Sequence, residues 1–135
     1  MLNRHAGYDP AEVRRLLAPG GTYLTQQVSG HDLAELNTAL GAPPHPAHGW
    51  DLATATAGLG LTVTWSAAAS FTTTFHDVGA LVLFLRAVSW QVPGFEVAAY
   101  EDRLRALHEE MCRGRPLKAT AHRFALLAMK SQEIL

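Results

Sequence analysis

The chain has 135 residues, 11 basic and 12 acidic side chains, and a net charge of −1 with its 7 histidines neutral. A hydrophobic fraction of 48% and a mean hydropathy of +0.03 exclude a disordered chain, and the length suits one domain. The charge balance offers no basic patch for nucleic acid or an anionic membrane. The most apolar run, Val78 to Leu85, is too short for the roughly 20 residues that a membrane helix needs.

Met1 to Pro10 contains no apolar signal core. Cys112 is the single cysteine, so no internal disulfide can form, and its helical setting reads as an idle or structural thiol. A reducing, cytoplasmic setting is the expectation.

Asp9 to Val28 reads as helix, tight turn, strand. Asp9 can cap a helix, Pro10 suits its first turn, and Glu12 stands at the spacing of a capping box. Tyr8 and Val13 occupy hydrophobic-staple positions. Val13, Leu16 and Leu17 form an apolar face from which Arg14 and Arg15 point away. Pro19-Gly20-Gly21 stops the helix, and Thr22 to Val28 follows as a strand ending in Gln26 and Gln27. These neighbours face opposite sides. One is expected to face a cleft, and the other to satisfy backbone groups in the following loop.

Asp32 and Glu35 repeat the capping-box spacing ahead of the stripe Leu33, Leu36, Leu40. Ala42 to Gly49 is a loop whose His45 and His48 lack the further ligands that a metal site needs. Asp51 to Leu59 reads as a weak helix, and Leu61 to Trp65 as an alternating strand. Ser66 to Ser70 is small and irregular, and Phe71 to Phe75 is strand-like.

Asp77 caps a helix from Val78 to about Val88, apolar nearly all round and so expected to be buried on several sides. Trp90 to Phe95 is a turn with two aromatic anchors. Val97 to Arg113 is the best helix, with surface pairs expected at Glu101–Arg105 and Glu109–Arg113. Thr120 to Met129 is a final strand, followed by a loose tail from Lys130 to Leu135.

The run EVRRLLAPGGTYLTQQV resembles the fourth helix and fifth strand of a class I S-adenosylmethionine-dependent methyltransferase. The segment from Phe75 to Ala128, with its DVGALV and WQVPGF runs, resembles the C-terminal part of a bacterial small-molecule subgroup of that family. The resemblance implies an α/β chain. Its sheet is an incomplete Rossmann-like methyltransferase sheet, a parallel strand plus an antiparallel C-terminal pair, with helices on both faces. It implies one partial domain over residues 1–135 with a helical insert at about 77–115.

The family's Gly-rich cofactor loop and ribose-binding acid have no counterpart. Gly20-Gly21 precedes a strand instead of following one. The chain therefore reads as the second half of a methyltransferase acting on a small molecule. S-adenosylmethionine is the cofactor of the complete fold, and the chain alone is expected to bind it weakly or not at all.

On this resemblance Leu2 to His5 is the end of the preceding strand and its loop. His5 is then a base or substrate hydrogen-bonding group; otherwise it belongs to a frayed terminus. Gln26, Gln27 and Trp90 are candidate substrate contacts; His76 is an outer one that reads first as structural, beside the capping Asp77, and His108 and His122 are assigned no chemistry. The Thr22–Val28 strand is expected at an exposed sheet edge, where it either pairs with a second copy as a homodimer or leaves the product poorly soluble. The competing reading is a non-catalytic α/β binding or dimerisation module. No nucleophile elbow, phosphate-binding loop or HExxH motif points to another enzyme class.

Overall fold

A computed structural model describes residues 1–132 of the chain. Its elements in order are β1 (Leu2–Arg4), α1 (Pro10–Leu16), β2 (Thr22–Val28), α2 (Ala34–Leu40) and α3 (Leu52–Leu59). There follow β3 (Thr62–Phe75), α4 (Val78–Ala87), a 3₁₀ turn (Val97–Tyr100), α5 (Glu101–Cys112) and β4 (Leu117–Met129). The strands form one mixed sheet in the order β1-β2-β4-β3. β1 runs parallel to β2, and β2 antiparallel to β4, with Leu24 opposite Leu127. β3 also opposes β4 in direction: Thr64 reaches Leu127 while Ser70 reaches His122. β2 is thus an inner strand and not the exposed edge expected from sequence. Among the described residues, the outer strands are β1 and β3.

The chain divides into two compact units. The first comprises residues 1–30, 49–70 and 122–135; the second comprises 31–48 and 71–121. Each has its own core.

In the first unit Asp9 caps α1 by accepting the Ala11 N–H at 2.7 Å. The expected capping box does not close, because Glu12 pairs with Arg15 instead. Val13 and Leu17 are buried while Leu16 is exposed, since a seven-residue helix has room for a narrow stripe only. Arg14 does not point away. Its guanidinium donates to the Leu59 carbonyl at 2.7 Å and closes the end of α3. Lys130 does the same for α1, donating to the carbonyls of Arg14 and Leu17, so it is fixed and not part of a loose tail. Residues 133–135 of that tail lie outside the described residues.

Gly20 adopts φ +73°, and a Cβ on Gly21 would stand 2.8 Å from the Ala18 carbonyl oxygen, which explains the double glycine. Asp51 caps α3 at the Thr54 N–H. Tyr23, Leu59, Leu126 and Ala128 are fully buried among the residues of this core.

In the second unit Leu33, Leu36 and Leu40 are buried as the stripe predicts. Leu33 begins α2 in the left-handed region, φ +52°, with no side-chain cap. Its N–H donates to the Thr120 carbonyl, and burial of its side chain holds the strained backbone in place. The Glu35 carboxylate, expected at the start of α2, also reaches the last strand. It accepts both the backbone N–H and the hydroxyl of Thr120, at 3.0 and 2.6 Å.

Asp77 caps α4 at Ala80. Only one face of α4 is buried, through Leu81 and Leu85, and Leu83 is 70% exposed. The turn after α4 is anchored by buried Gln91 and Val92, and Phe95 stacks on Tyr100. Trp90, expected as an anchor, is 60% exposed. The helix expected over Val97–Arg113 begins with a 3₁₀ turn. Its Glu101–Arg105 pair forms, but Arg113 pairs with Glu110, not Glu109. The Arg115 guanidinium, also on Glu110, holds that carboxyl down at about 2.

Sequence chemistry suggests two strands divided at Ser66–Ser70, yet β3 is continuous. Pairing with β4 keeps this small-residue segment extended where propensity alone does not. Burial alternates along β4 through Ala119 and Ala121, then changes phase to Phe124, Leu126 and Ala128. The change falls at His122 and Arg123, where β4 passes from one core to the other.

Candidate functional site

In open α/β sheets ligands gather beyond the carboxyl ends of the parallel strands. Here those ends are Arg4 on β1 and Val28 on β2, both in the first unit. Beyond Arg4 the backbone turns sharply at His5, φ +56°, whose N–H donates to the Gln26 carbonyl at 2.8 Å. Asn3 clamps the turn: its amide donates to the Ala6 carbonyl and its oxygen accepts the Ala6 N–H. The same amide donates to the Tyr23 hydroxyl at 3.1 Å.

Gln27 is buried and donates to the Ala6 carbonyl at 3.1 Å and to Thr25 Oγ1 at 2.8 Å. It therefore shapes the loop after β1. Gln26 is exposed on the opposite side of β2, in register with Arg4. The structure thus brings His5, Gln26 and Gln27 together in one unit. Trp90 and His76 belong to the second unit, both exposed.

Behind this loop lies an aromatic chain. Tyr8 meets Tyr23 edge-on at 5.5 Å and Trp50 at 5.9 Å, and Trp50 meets Phe124 at 5.9 Å. The Tyr8 hydroxyl is buried and has no hydrogen-bond partner among the described residues. Burial, and then the neighbouring Tyr23, raise its pKa above the ordinary value.

Beyond Val28 a cavity of about 200 Å³ opens, lined by Ser29, Asp51, Leu52, Ser70, His122, Arg123 and Phe124 among others. Ser70 Oγ and His122 Nδ1 lie 2.9 Å apart across β3 and β4. The His122 carbonyl accepts the Ser29 N–H at 3.1 Å and Arg123 Nη1 at 3.0 Å. Ser29 Oγ donates to the Trp50 carbonyl at 3.2 Å, tying the cavity wall to the aromatic chain. His122, which the sequence leaves without a role, is therefore a cavity residue. The available signal was polarity: His122-Arg123 interrupts an otherwise apolar alternation late in the last strand.

The second unit carries an open apolar groove of about 600 Å³ between α4 and α5, lined by Val78, Val82, Val97 and Leu104, with His108 at its rim. His108 Nε2 approaches Cys112 Sγ at 3.6 Å. The loop that carries His45 and His48 folds on itself: His45 Nδ1 accepts the Ala47 N–H at 3.0 Å, and the His45 carbonyl accepts the His48 N–H. Burial, opposed by Asp32 and reinforced by His48, lowers the His45 pKa. Among the described residues no three His, Cys, Asp or Glu side chains converge as a metal site. No helix there is long and apolar enough to cross a membrane.

S-adenosylmethionine does not fit the described residues. It needs backbone closely approached at glycines after a strand, and an acid for its ribose. Gly7 and Gly30 stand singly after β1 and β2, and no acidic residue ends either strand. The closely approached glycines serve packing: Gly21 meets the Ala18 backbone and Gly60 meets the Arg14 side chain.

No protein-family profile matches the chain, and no curated protein matches it in sequence. Among solved structures it is similar to the crystal structure of a candidate methyltransferase from Bacillus halodurans C-125, with 12% identity and a TM-score of 0.55. The match covers 91% of this chain, and the chain spans only 57% of the length of that structure. The likeness shows an α/β fold similar to that of this structure.

Proposed function

We propose that the chain forms the acceptor-side half of an S-adenosylmethionine-dependent methyltransferase acting on a small molecule, and that it is inactive alone. The observation that carries this reading is the sheet. A parallel pair, with a reversed strand between β2 and β3, stands in a chain whose fold is similar to that of a candidate methyltransferase of which it spans 57%, and this supports the reading.

His5 is the proposed base or substrate hydrogen-bonding group, with exposed Gln26 beside it and Gln27 setting the loop that carries it. Trp90 remains a candidate contact on the second unit through its exposure alone. The proposed setting is cytoplasmic, consistent with a single, exposed cysteine.

The decisive experiment extends the reading frame upstream of Met1 and titrates S-adenosylmethionine into both proteins by calorimetry. The extended protein is expected to bind stoichiometrically and the 135-residue chain to give only heat of dilution. Tight binding by the short chain, or stop codons directly upstream, would overturn the reading. The second outcome favours a non-catalytic α/β module.

A homodimer through a sheet edge is proposed at β1 or β3, since β2 is an inner strand. β3 is the longer template, 14 residues with Trp65 and Phe71 exposed. Light scattering is expected to show mass rising with concentration toward twice the chain mass of 14.6 kDa. A constant monomer mass removes the proposal.

A further inference from the structure

We propose that the cavity beside Ser70 and His122 is a binding site for a small, neutral, hydroxylated aromatic ring of the phenol class. Three features of the cavity select that chemistry.

The first is size. At about 200 Å³ the cavity falls below the roughly 300–1,000 Å³ typical of pockets for drug-sized ligands. It suits a single ring with one or two substituents. Leu52 and Phe124 supply apolar wall, and Ala53, Ala68 and Ala69 leave a low surface along which a flat ring can lie.

The second is charge. Arg123 and Asp51 line the same space with opposite signs. The two charges offset each other toward any ion in the cavity, so the site holds no net charge to favour a carboxylate or an ammonium, and a neutral ligand keeps its fit without desolvating a charge of its own. Asp51 is also held in place as the cap of α3, at 2.8 Å from the Thr54 N–H.

The third is the polar contact. A serine hydroxyl has one donor and two acceptor lone pairs, and the bond to His122 uses one of these. Ser70 is exposed and can take a second bond from a ligand hydroxyl. The arrangement is built in advance. The Ser29 backbone N–H and the Arg123 guanidinium both donate to the His122 carbonyl, so the strand that presents the imidazole is fixed. A phenolic hydroxyl both donates and accepts, so it fits Ser70 whichever way the Ser70–His122 proton is directed.

The test uses the full chain and three probes of similar size: phenol, benzoate and benzylammonium. Chemical-shift titrations follow the His122 imidazole and the backbone amides of Ser29, Ala68 and Ala69. Phenol is expected to shift all four saturably, and benzoate and benzylammonium to bind at least tenfold more weakly. Ser70→Ala is expected to weaken phenol about fivefold, the loss of one neutral hydrogen bond. Because Ser70 is exposed, amide shifts away from the cavity should stay unchanged, which separates lost binding from lost fold. Absence of saturable shifts with phenol, equal affinity for benzoate, or unchanged phenol binding in Ser70→Ala would each overturn the proposal. No cofactor takes part, so the result is independent of whether the chain transfers methyl groups.

Discussion

Leu81→Ala is expected to destabilise the second unit by about 3 kcal/mol, while Leu83→Ala on the same helix is expected to change stability by less than about 0.5 kcal/mol. Leu81 is fully buried in a core with Leu36, Leu85 and Leu104. Truncation removes the transfer free energy of its lost carbons and leaves a cavity that close-packed neighbours fill only in part. Leu83 is 70% exposed and leaves nothing unfilled. The pair also decides between two pictures of α4. Composition alone suggests a helix buried on several sides, in which both substitutions cost several kcal/mol. The structure buries one stripe, Leu81 and Leu85, in which only the first substitution matters. Urea unfolding of both variants reads the difference directly as a shift in midpoint at unchanged slope. Similar large losses in both would reject the one-sided packing.

What the sequence makes legible here is local. Asp9 and Asp77 cap helices where their position before an apolar run says they should, each accepting a nearby backbone N–H. The bounds of β2 and the buried stripe Leu33, Leu36, Leu40 likewise follow from alternation and helical spacing. What is not legible is set by partners distant in sequence. Glu35 has capping-box spacing, and nothing in that spacing announces that its carboxylate also receives the N–H and hydroxyl of Thr120. Arg14 looks like a solvated helix face until the Leu59 carbonyl is brought beside it. Ser66 to Ser70 has no strand pattern, and only pairing along β4 extends it.

The candidate site divides the same way. His5, Gln26 and Gln27 are neighbours because β1 and β2 pair in parallel, which the resemblance implies. The Ser70–His122 contact joins residues 52 apart on two antiparallel strands, and no motif in either segment announces it. Trp90 and Gln91 show the limit of hydrophobicity as a guide. The large aromatic is exposed and its amide neighbour is buried, because the turn's polar groups close a hydrogen-bonded clasp.

That clasp is the basis of the second large effect. Gln91 and Asn37 are 2% and 3% exposed. Gln91 Nε2 donates to Asn37 Oδ1 at 2.7 Å and to the Asp32 carbonyl at 3.1 Å. Asn37 Nδ2 donates in return to the Gln91 carbonyl at 3.0 Å and to the Pro43 carbonyl at 2.8 Å. The two amides thus fasten α2, the loop after it and the turn after α4. Gln91→Ala removes both donors and leaves Asn37 Oδ1 and the Asp32 carbonyl buried without them, beside a new void. The expected loss is about 3 kcal/mol, most of it the desolvation penalty of groups left unsatisfied. Gln91→Met separates the two contributions, since it keeps the volume and loses only the hydrogen bonds. It should retain most of the loss if polar satisfaction dominates and little if packing does. Asn37→Ala should cost a similar amount. The double variant should cost less than the sum by about 1 kcal/mol, because the Gln91–Asn37 bond is lost only once. Strict additivity in that cycle would mean that the two amides hold their segments independently and that no clasp exists.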